Sequence, residues 1–244
     1  MSFDLKGMNI LITGASSGIG RQAALTYGKR RANIIALGRS QSALETLDDD
    51  LVKYNCNVSL VPFNLMQFDL IKDMEQKLSE RIDHLDVLFL NAAAFGSLTP
   101  ITHITEAEWN ETFAVNLTSN VIFLKLFEPY LKKTNQSQVL ITTTEIINQK
   151  KPFWGLYSAS KAALEQIAYS YAEETQNTNI KVNLIDPGIV NTKLRLKAYP
   201  GEDKQKITQP SDLSDFFEDI LFNDKFTNGE LIRYTDWLES SKRV

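Results

Sequence analysis

Apolar residues are gathered in short runs closed by turn-forming residues, at 8–13, 33–37, 58–63, 87–90, 139–143, 180–185 and 231–234. The runs are nearly continuous rather than alternating, which is how a strand reads when both of its faces are buried. Between most of them lie segments with helical spacing, at 18–30, 41–54, 68–81, 106–131, 157–174 and 212–222. Segments of that length suffice for crossovers between parallel strands. The pattern predicts an α/β fold: a doubly wound parallel sheet of about seven strands with helices on both faces.

Composition bounds the fold without changing it. With 244 residues, 43% hydrophobic and 23% charged, the chain suits one globular domain over 1–244, and its 11 Gly and 7 Pro form no linker. A net charge of −4 offers no bulk attraction to phosphate backbones, so nucleic-acid binding is not expected. The one cysteine, Cys56, excludes an internal disulfide or a multi-thiolate metal site, and no metal is expected. The first residues lack an apolar leader and no run approaches a membrane span, so a cytoplasmic location without membrane attachment is expected. One stretch resists assignment: 191–210 is polar and basic, with Lys193, Arg195 and Lys197, and reads either as a solvated connection or as a substrate loop.

Directly after the first run stands Thr13-Gly14-Ala15-Ser16-Ser17-Gly18-Ile19-Gly20, and a helical pattern follows. Gly14 permits a tight turn, Gly18 lets the backbone approach a pyrophosphate, and Gly20 allows close helix–strand packing. Strand before and helix after are what a dinucleotide-binding turn requires, because the helix N-terminus then faces the ligand's negative charge. After the second run comes Gly38-Arg39-Ser40, where an NAD site usually places an acidic residue. Arg39 offers a guanidinium to a 2′-phosphate, which favours NADP(H) over NAD(H); the other reading of Arg39 is an ordinary surface cation.

Tyr157 and Lys161 lie four residues apart at the start of a helical segment, hence on one face. A nearby cation and a helix N-terminus both lower a phenol's pKa toward the range useful for a general acid or base. The spacing alone is common by chance. His84 and His103 form no nucleophile arrangement, however, and no Gly-x-Ser-x-Gly or His-Glu-x-x-His run exists.

These motifs, in this order, resemble the short-chain dehydrogenase/reductase family from Leu5 to about Trp237, with its Rossmann fold. Asn91-Ala92-Ala93-Ala94 is similar to the family's element after the fourth strand, Asn116 to its helix asparagine, and Pro187-Gly188-Ile189-Val190-Asn191-Thr192 to its Pro-Gly-x-x-x-Thr element. The run from Thr142 to Lys161 and Ala198-Tyr199-Pro200 resemble a YciK-like group of bacterial oxidoreductases. The resemblance implies that Tyr157 exchanges the proton, Lys161 lowers its pKa and holds the nicotinamide ribose, and Asn116 anchors a water relay. Thr192 is then expected to hold the carboxamide, with Asn91 and Ala92 beside the cofactor, Asn64 and Leu65 near adenine, and Pro187 to Val190 along the nicotinamide. The reaction implied is hydride transfer between NADP(H) and a small carbonyl or alcohol substrate.

The chain departs from the family's pattern at three residues and again near its end. Thr144 stands where a substrate-orienting serine is usual, Ala94 and Asn64 replace a glycine and an aspartate, and Thr235-Asp236-Trp237 lacks the closing Asp-Gly-Gly. Thr144 keeps the hydroxyl but adds a methyl, so a non-catalytic NADP-binding regulator or scaffold stays open as an alternative. The substrate wall is expected from Phe95, Glu145, Phe153, Trp154, Leu194 and Tyr199. Family analogy implies a homodimer or homotetramer through 106–131 and 157–174, with Phe123, Phe127, Ile167 and Tyr171 facing outward.

Overall fold

A computed structural model describes residues 4–222 and 226–241. Seven strands, β1 (Asn9–Thr13), β2 (Asn33–Gly38), β3 (Val58–Pro62), β4 (Val87–Leu90), β5 (Ser137–Thr142), β6 (Ile180–Asp186) and β7 (Leu231–Arg233), form one sheet in the order β3-β2-β1-β4-β5-β6-β7. Every pairing is parallel. The order reverses direction beside β1, between β2 and β4, and this opens a crevice at the carboxyl ends of the strands.

Both faces of the sheet are covered, which accounts for the continuous apolar runs. Ile10, Ile12, Ile34, Ala36 and Phe89 pack with Ala23, Ala24 and Tyr27 of α1 (Gly18–Lys29), Leu44 and Leu47 of α2 (Gln41–Leu51) and Phe216 and Phe217 of the later helix Ser214–Phe222. On the opposite face Leu11, Ile35, Leu88, Leu90 and Ile141 meet Ile71 and Met74 of α3 (Phe68–Ser79), with Phe123 and Phe127 and Leu164 and Ala168 from two further helices. Among the described residues no helix is long and apolar enough to cross a membrane.

The segment expected as one helix over 106–131 is divided. α4 (Glu106–Phe113) passes into a π-helical turn at Ala114–Thr118 and then into α5 (Ser119–Leu131). The widened turn leaves carbonyls for side chains to satisfy: Ser119 Oγ donates to Val115 O at 2.8 Å and Asn120 Nδ2 to Asn116 O at 2.7 Å. One extra residue in a turn rotates everything downstream by about 100°. That corrects the outward placement of Phe123 and Phe127, which are fully buried against the sheet; Tyr171 is also buried, and of the four only Ile167 is exposed.

The remaining helices are α6 (Gly155–Glu174), α7 (Lys193–Ala198), α8 (Ser214–Phe222) and α9 (Tyr234–Ser241). α6 starts two residues before the expected 157, and α7 lies inside 191–210, the stretch read as a solvated connection or a substrate loop. Tyr234, expected to end a strand, opens α9 instead; it stacks on Trp237 at 5.9 Å and meets Phe216 edge-on at 5.4 Å.

Candidate active site

The crevice is floored by the turn between β1 and α1. Gly14 and Gly18 adopt φ of +72° and +56°, the left-handed region that side chains disfavour. A Cβ on Gly20 would stand 2.5 Å from Asn91 Nδ2 and 2.6 Å from Gly14 O, so only hydrogen fits there. Ser40, Thr105 and Thr192 cap α2, α4 and α7 with their side chains, whereas Ser17 stands extended before α1 and makes no cap. The first N–H groups of α1 have no intrahelical acceptor, so they and the positive helix end remain available to an anion beside Ile19. At the end of β2, a Cβ on Gly38 would stand 2.8 Å from Ser16 Oγ, and the exposed Arg39 that follows forms no ion pair among the described residues. Uncapped donors, unobstructed glycine backbone and a free guanidinium fit the pyrophosphate and 2′-phosphate of a dinucleotide. Asn64 is exposed, its Oδ1 accepting from Met66 N at 3.1 Å, and Leu65 is buried beside it.

Above the turn, threonines and asparagines lock the strand ends together. Thr13 Oγ1 accepts from Asn91 N at 2.9 Å and Ala92 N at 3.0 Å, Asn91 Nδ2 donates to Thr13 O at 3.2 Å, and Thr142 Oγ1 donates to Asn91 Oδ1 at 3.2 Å. Asn116, on the π turn, grips Ala94 through both amide atoms, accepting from its N at 2.7 Å and donating to its O at 2.8 Å. Its Nδ2 also reaches Ser160 Oγ on α6 at 2.9 Å. Asn116 therefore ties the turn after β4 to the helix that carries the tyrosine. Thr13, Thr142 and Ser160 escaped the sequence reading, since a strand-end threonine or a helical serine has no distinguishing spacing.

Tyr157 and Lys161 are both buried on one face of α6. Tyr157 belongs to an aromatic cluster, with Phe95 at 5.4 Å and Trp154 at 6.2 Å between ring centroids. Its hydroxyl makes no hydrogen bond among the described residues, whereas its backbone carbonyl accepts from Ser160 Oγ at 2.8 Å. Lys161 Nζ donates to Thr142 O at 2.8 Å, and burial lowers its pKa to about 8. Burial also pushes the Tyr157 phenol upward, and the Asp186 carboxylate adds to the rise. This is opposite in direction to the lowered phenol expected from a neighbouring cation: desolvation dominates, the one charge acting on the phenol is the Asp186 carboxylate, and Lys161 does not offset them.

The other expected wall residues divide. Phe95 and Trp154 are buried in the Tyr157 cluster, and Leu194 and Tyr199, from α7 and its end, pack on it. Tyr199 lies 5.8 Å from Trp154, with the Arg195 guanidinium 3.8 Å above its ring, and Arg195 is held by a two-pronged pair with Glu202 at 2.6 and 2.7 Å. Glu145 is exposed, as is Phe153 at φ +72°, a conformation strained for a bulky residue. Thr144 Oγ1 accepts from Ile146 N at 3.5 Å, which leaves its proton free to donate. Across the cleft Thr192 Oγ1 accepts from Arg195 N at 3.0 Å, and its Cγ2 abuts the place of a Gly18 Cβ at 3.1 Å. Pro187 and Val190 are buried while Gly188 and Ile189 are exposed at the rim. Among the described residues no cluster of His, Cys, Asp or Glu could hold a metal ion.

A parallel sheet, a glycine turn at its crevice and a buried tyrosine–lysine pair define a class, and the comparisons agree: the chain belongs to the short chain dehydrogenase family, whose model matches residues 8–203. Among its relatives, the uncharacterised oxidoreductase YciK of Escherichia coli K12 is 31% identical over 221 residues, covering 88% of this chain and 86% of YciK. The solved structure of E. coli YciK superposes with a TM-score of 0.87 at 27% identity, covering 96% of this chain and 97% of that one. A short chain dehydrogenase of Shigella flexneri 2a, complexed with NADP, has a TM-score of 0.88 at 27% identity and covers 96% and 99% of the two chains.

Proposed function

We propose that this chain is an NADP(H)-dependent oxidoreductase acting on a small carbonyl or alcohol. The observation that carries the reading is that Tyr157 and Lys161 share one buried face of α6 and that Lys161 is joined through Thr142 and Asn91 to the start of the glycine turn. The similarity to a dehydrogenase complexed with NADP supports the cofactor. When bound, NADP(H) supplies or accepts the hydride.

The glycine turn, Ser16, Ser17 and Arg39 would hold the phosphates, and Asn64 and Leu65 would flank the adenine. Asn91, Ala92, the 187–190 turn and Thr192 would hold the nicotinamide end. Tyr157 donates its proton to a carbonyl oxygen during reduction and takes it back during oxidation. Lys161, anchored on Thr142 O, supplies positive charge that favours the phenolate as it develops. Thr144 donates a hydrogen bond to the substrate oxygen, and Asn116 fixes the turn that shapes the pocket floor. Phe95, Trp154 and Tyr199 give that pocket an apolar, planar lining. The whole chain acts as one catalytic unit with 191–210 as its substrate loop, and two or four copies associate.

NADPH consumption over a panel of aldehydes, ketones and quinones tests the reading. Tyr157→Phe should lower turnover at least about a thousandfold while NADPH binding stays within about threefold of the parent. Tight NADPH binding with no turnover of any substrate by the parent would favour the non-catalytic regulator instead.

A further inference from the structure

Lys151 stands in the turn that leads into α6, and its ammonium is held by aromatic neighbours rather than by a carboxylate. Its Nζ donates to the Tyr199 hydroxyl and lies 5.4 Å from the Trp154 ring centroid and 4.8 Å from that of Tyr199. Among the described residues it enters no ion pair, whereas Arg195, the other cation on the Tyr199 ring, is engaged with Glu202. Tyr199 follows α7, so two turns far apart in the chain meet on this one side chain. Trp154 links the charge to the chemistry: its ring is 6.2 Å from that of Tyr157 and 5.3 Å from that of Phe95. The phenol and the ammonium are therefore neighbours of the same indole. The backbone between Lys151 and Trp154 carries strain, with Phe153 at φ +72° and 53% exposed.

A substrate whose carbonyl oxygen meets Tyr157 and whose body lies on Trp154 and Tyr199 ends beside Lys151. The rings hold the ammonium in place without neutralising it, so its charge is left for a ligand, and a single ammonium matches a single negative charge. We propose that Lys151 determines substrate specificity, selecting a carbonyl compound whose apolar, planar body carries a carboxylate at the end away from the carbonyl. The proposal deepens the oxidoreductase reading and rests on it for the place of the carbonyl, while the carboxylate subsite is testable apart from turnover.

Two aldehydes of different length provide the test, 4-formylbenzoate and 4-formylcinnamate, each compared with its methyl ester in NADPH-dependent reduction. For at least one length the parent should prefer the acid to the ester by about fivefold or more in kcat/KM, the scale of one exposed ion pair. Lys151→Met should bring that ratio close to one, and Lys151→Arg should keep at least about half of it. Lys197→Met, which removes the same charge from α7, should leave the ratio within about twofold of the parent's. Equal use of acid and ester at both lengths, or a preference that survives in Lys151→Met or is lost equally in Lys197→Met, would overturn the proposal. Where the parent turns over none of these aldehydes, calorimetric titration of the two acids decides the subsite. Binding at least about threefold weaker in Lys151→Met supports it, and equal or absent binding overturns it. A parent that reduces no carbonyl at all ends the oxidoreductase reading, whichever way the titration falls.

Discussion

Lys161 carries the residue-scale argument because its charge is buried beneath the cleft. Its folded-state pKa of about 8 lies below the ordinary 10.5, so between these values the unfolded chain binds a proton that the folded chain lacks. Its contribution to stability therefore rises with pH from about 8 to about 10.5, and below 8 the folded state bears the full desolvation cost. Urea unfolding of the parent and of Lys161→Met should show the difference between them shifting in the parent's favour by up to about 3 kcal/mol from pH 7 to pH 10.5. A pH-independent difference would mean that the lysine is hydrated. Arg39 makes a separate prediction. Arg39→Ala should raise the Kd for NADPH about tenfold and leave that for NADH within about threefold, as read by nicotinamide fluorescence. Equal losses for both would assign Arg39 a role away from the 2′-phosphate.

Within elements, small geometric demands override propensity. Alanine at Gly20 gains about 1 kcal/mol of helix propensity, but its Cβ would meet Gly14 O at 2.6 Å, a backbone atom that cannot swing away. Overpacking of this kind costs about 1–3 kcal/mol, so Gly20→Ala should lower the thermal midpoint as measured by circular dichroism and weaken NADPH binding together. The glycine spacing was legible in the chain because its cause is local: a turn, a backbone approach, a helix start. The π turn at Ala114–Thr118 was not. Inserting one residue into a helical turn leaves the apolar content of the segment unchanged and only rotates its second half, which is why Phe123 and Phe127 were assigned the wrong face. α7 escaped because Leu194, Leu196 and Ala198 alternate with Lys and Arg, a period of two that does not read as a helix, while Thr192 starts the helix by capping Arg195 N.

At the scale of the molecule, two apolar layers enclose the sheet and a third cluster, around Phe95, Trp154 and Tyr157, lies at the carboxyl ends of the strands. With Phe123 and Phe127 turned inward, the apolar groups left on the outer faces of α5 and α6 are Val121 and Ile167, 40% and 37% exposed. If copies of the chain associate through these helices, light scattering should report a dimer or tetramer for the parent and a monomer for Val121→Asp combined with Ile167→Asp. An unchanged mass in the double variant would move the interface elsewhere. Each strand run carried over to within about two residues at its ends, with Tyr234 passing from β7 to α9, the glycine turn follows β1, and Tyr157 and Lys161 share one face of α6.

What the chain determined unaided is whatever follows from nearest neighbours and period: seven apolar strands, their crossover helices, the glycine turn and a phenol one helical turn from an ammonium. Only the assembled fold decided the electrostatics of that pair. Whether a cation lowers a phenol's pKa depends on how much water both have lost and which other charges surround them, and those surroundings come from Asp186, Phe95 and Trp154, brought in by three separate crossovers. Spacing along a chain encodes proximity, whereas solvation is a property of the packed whole.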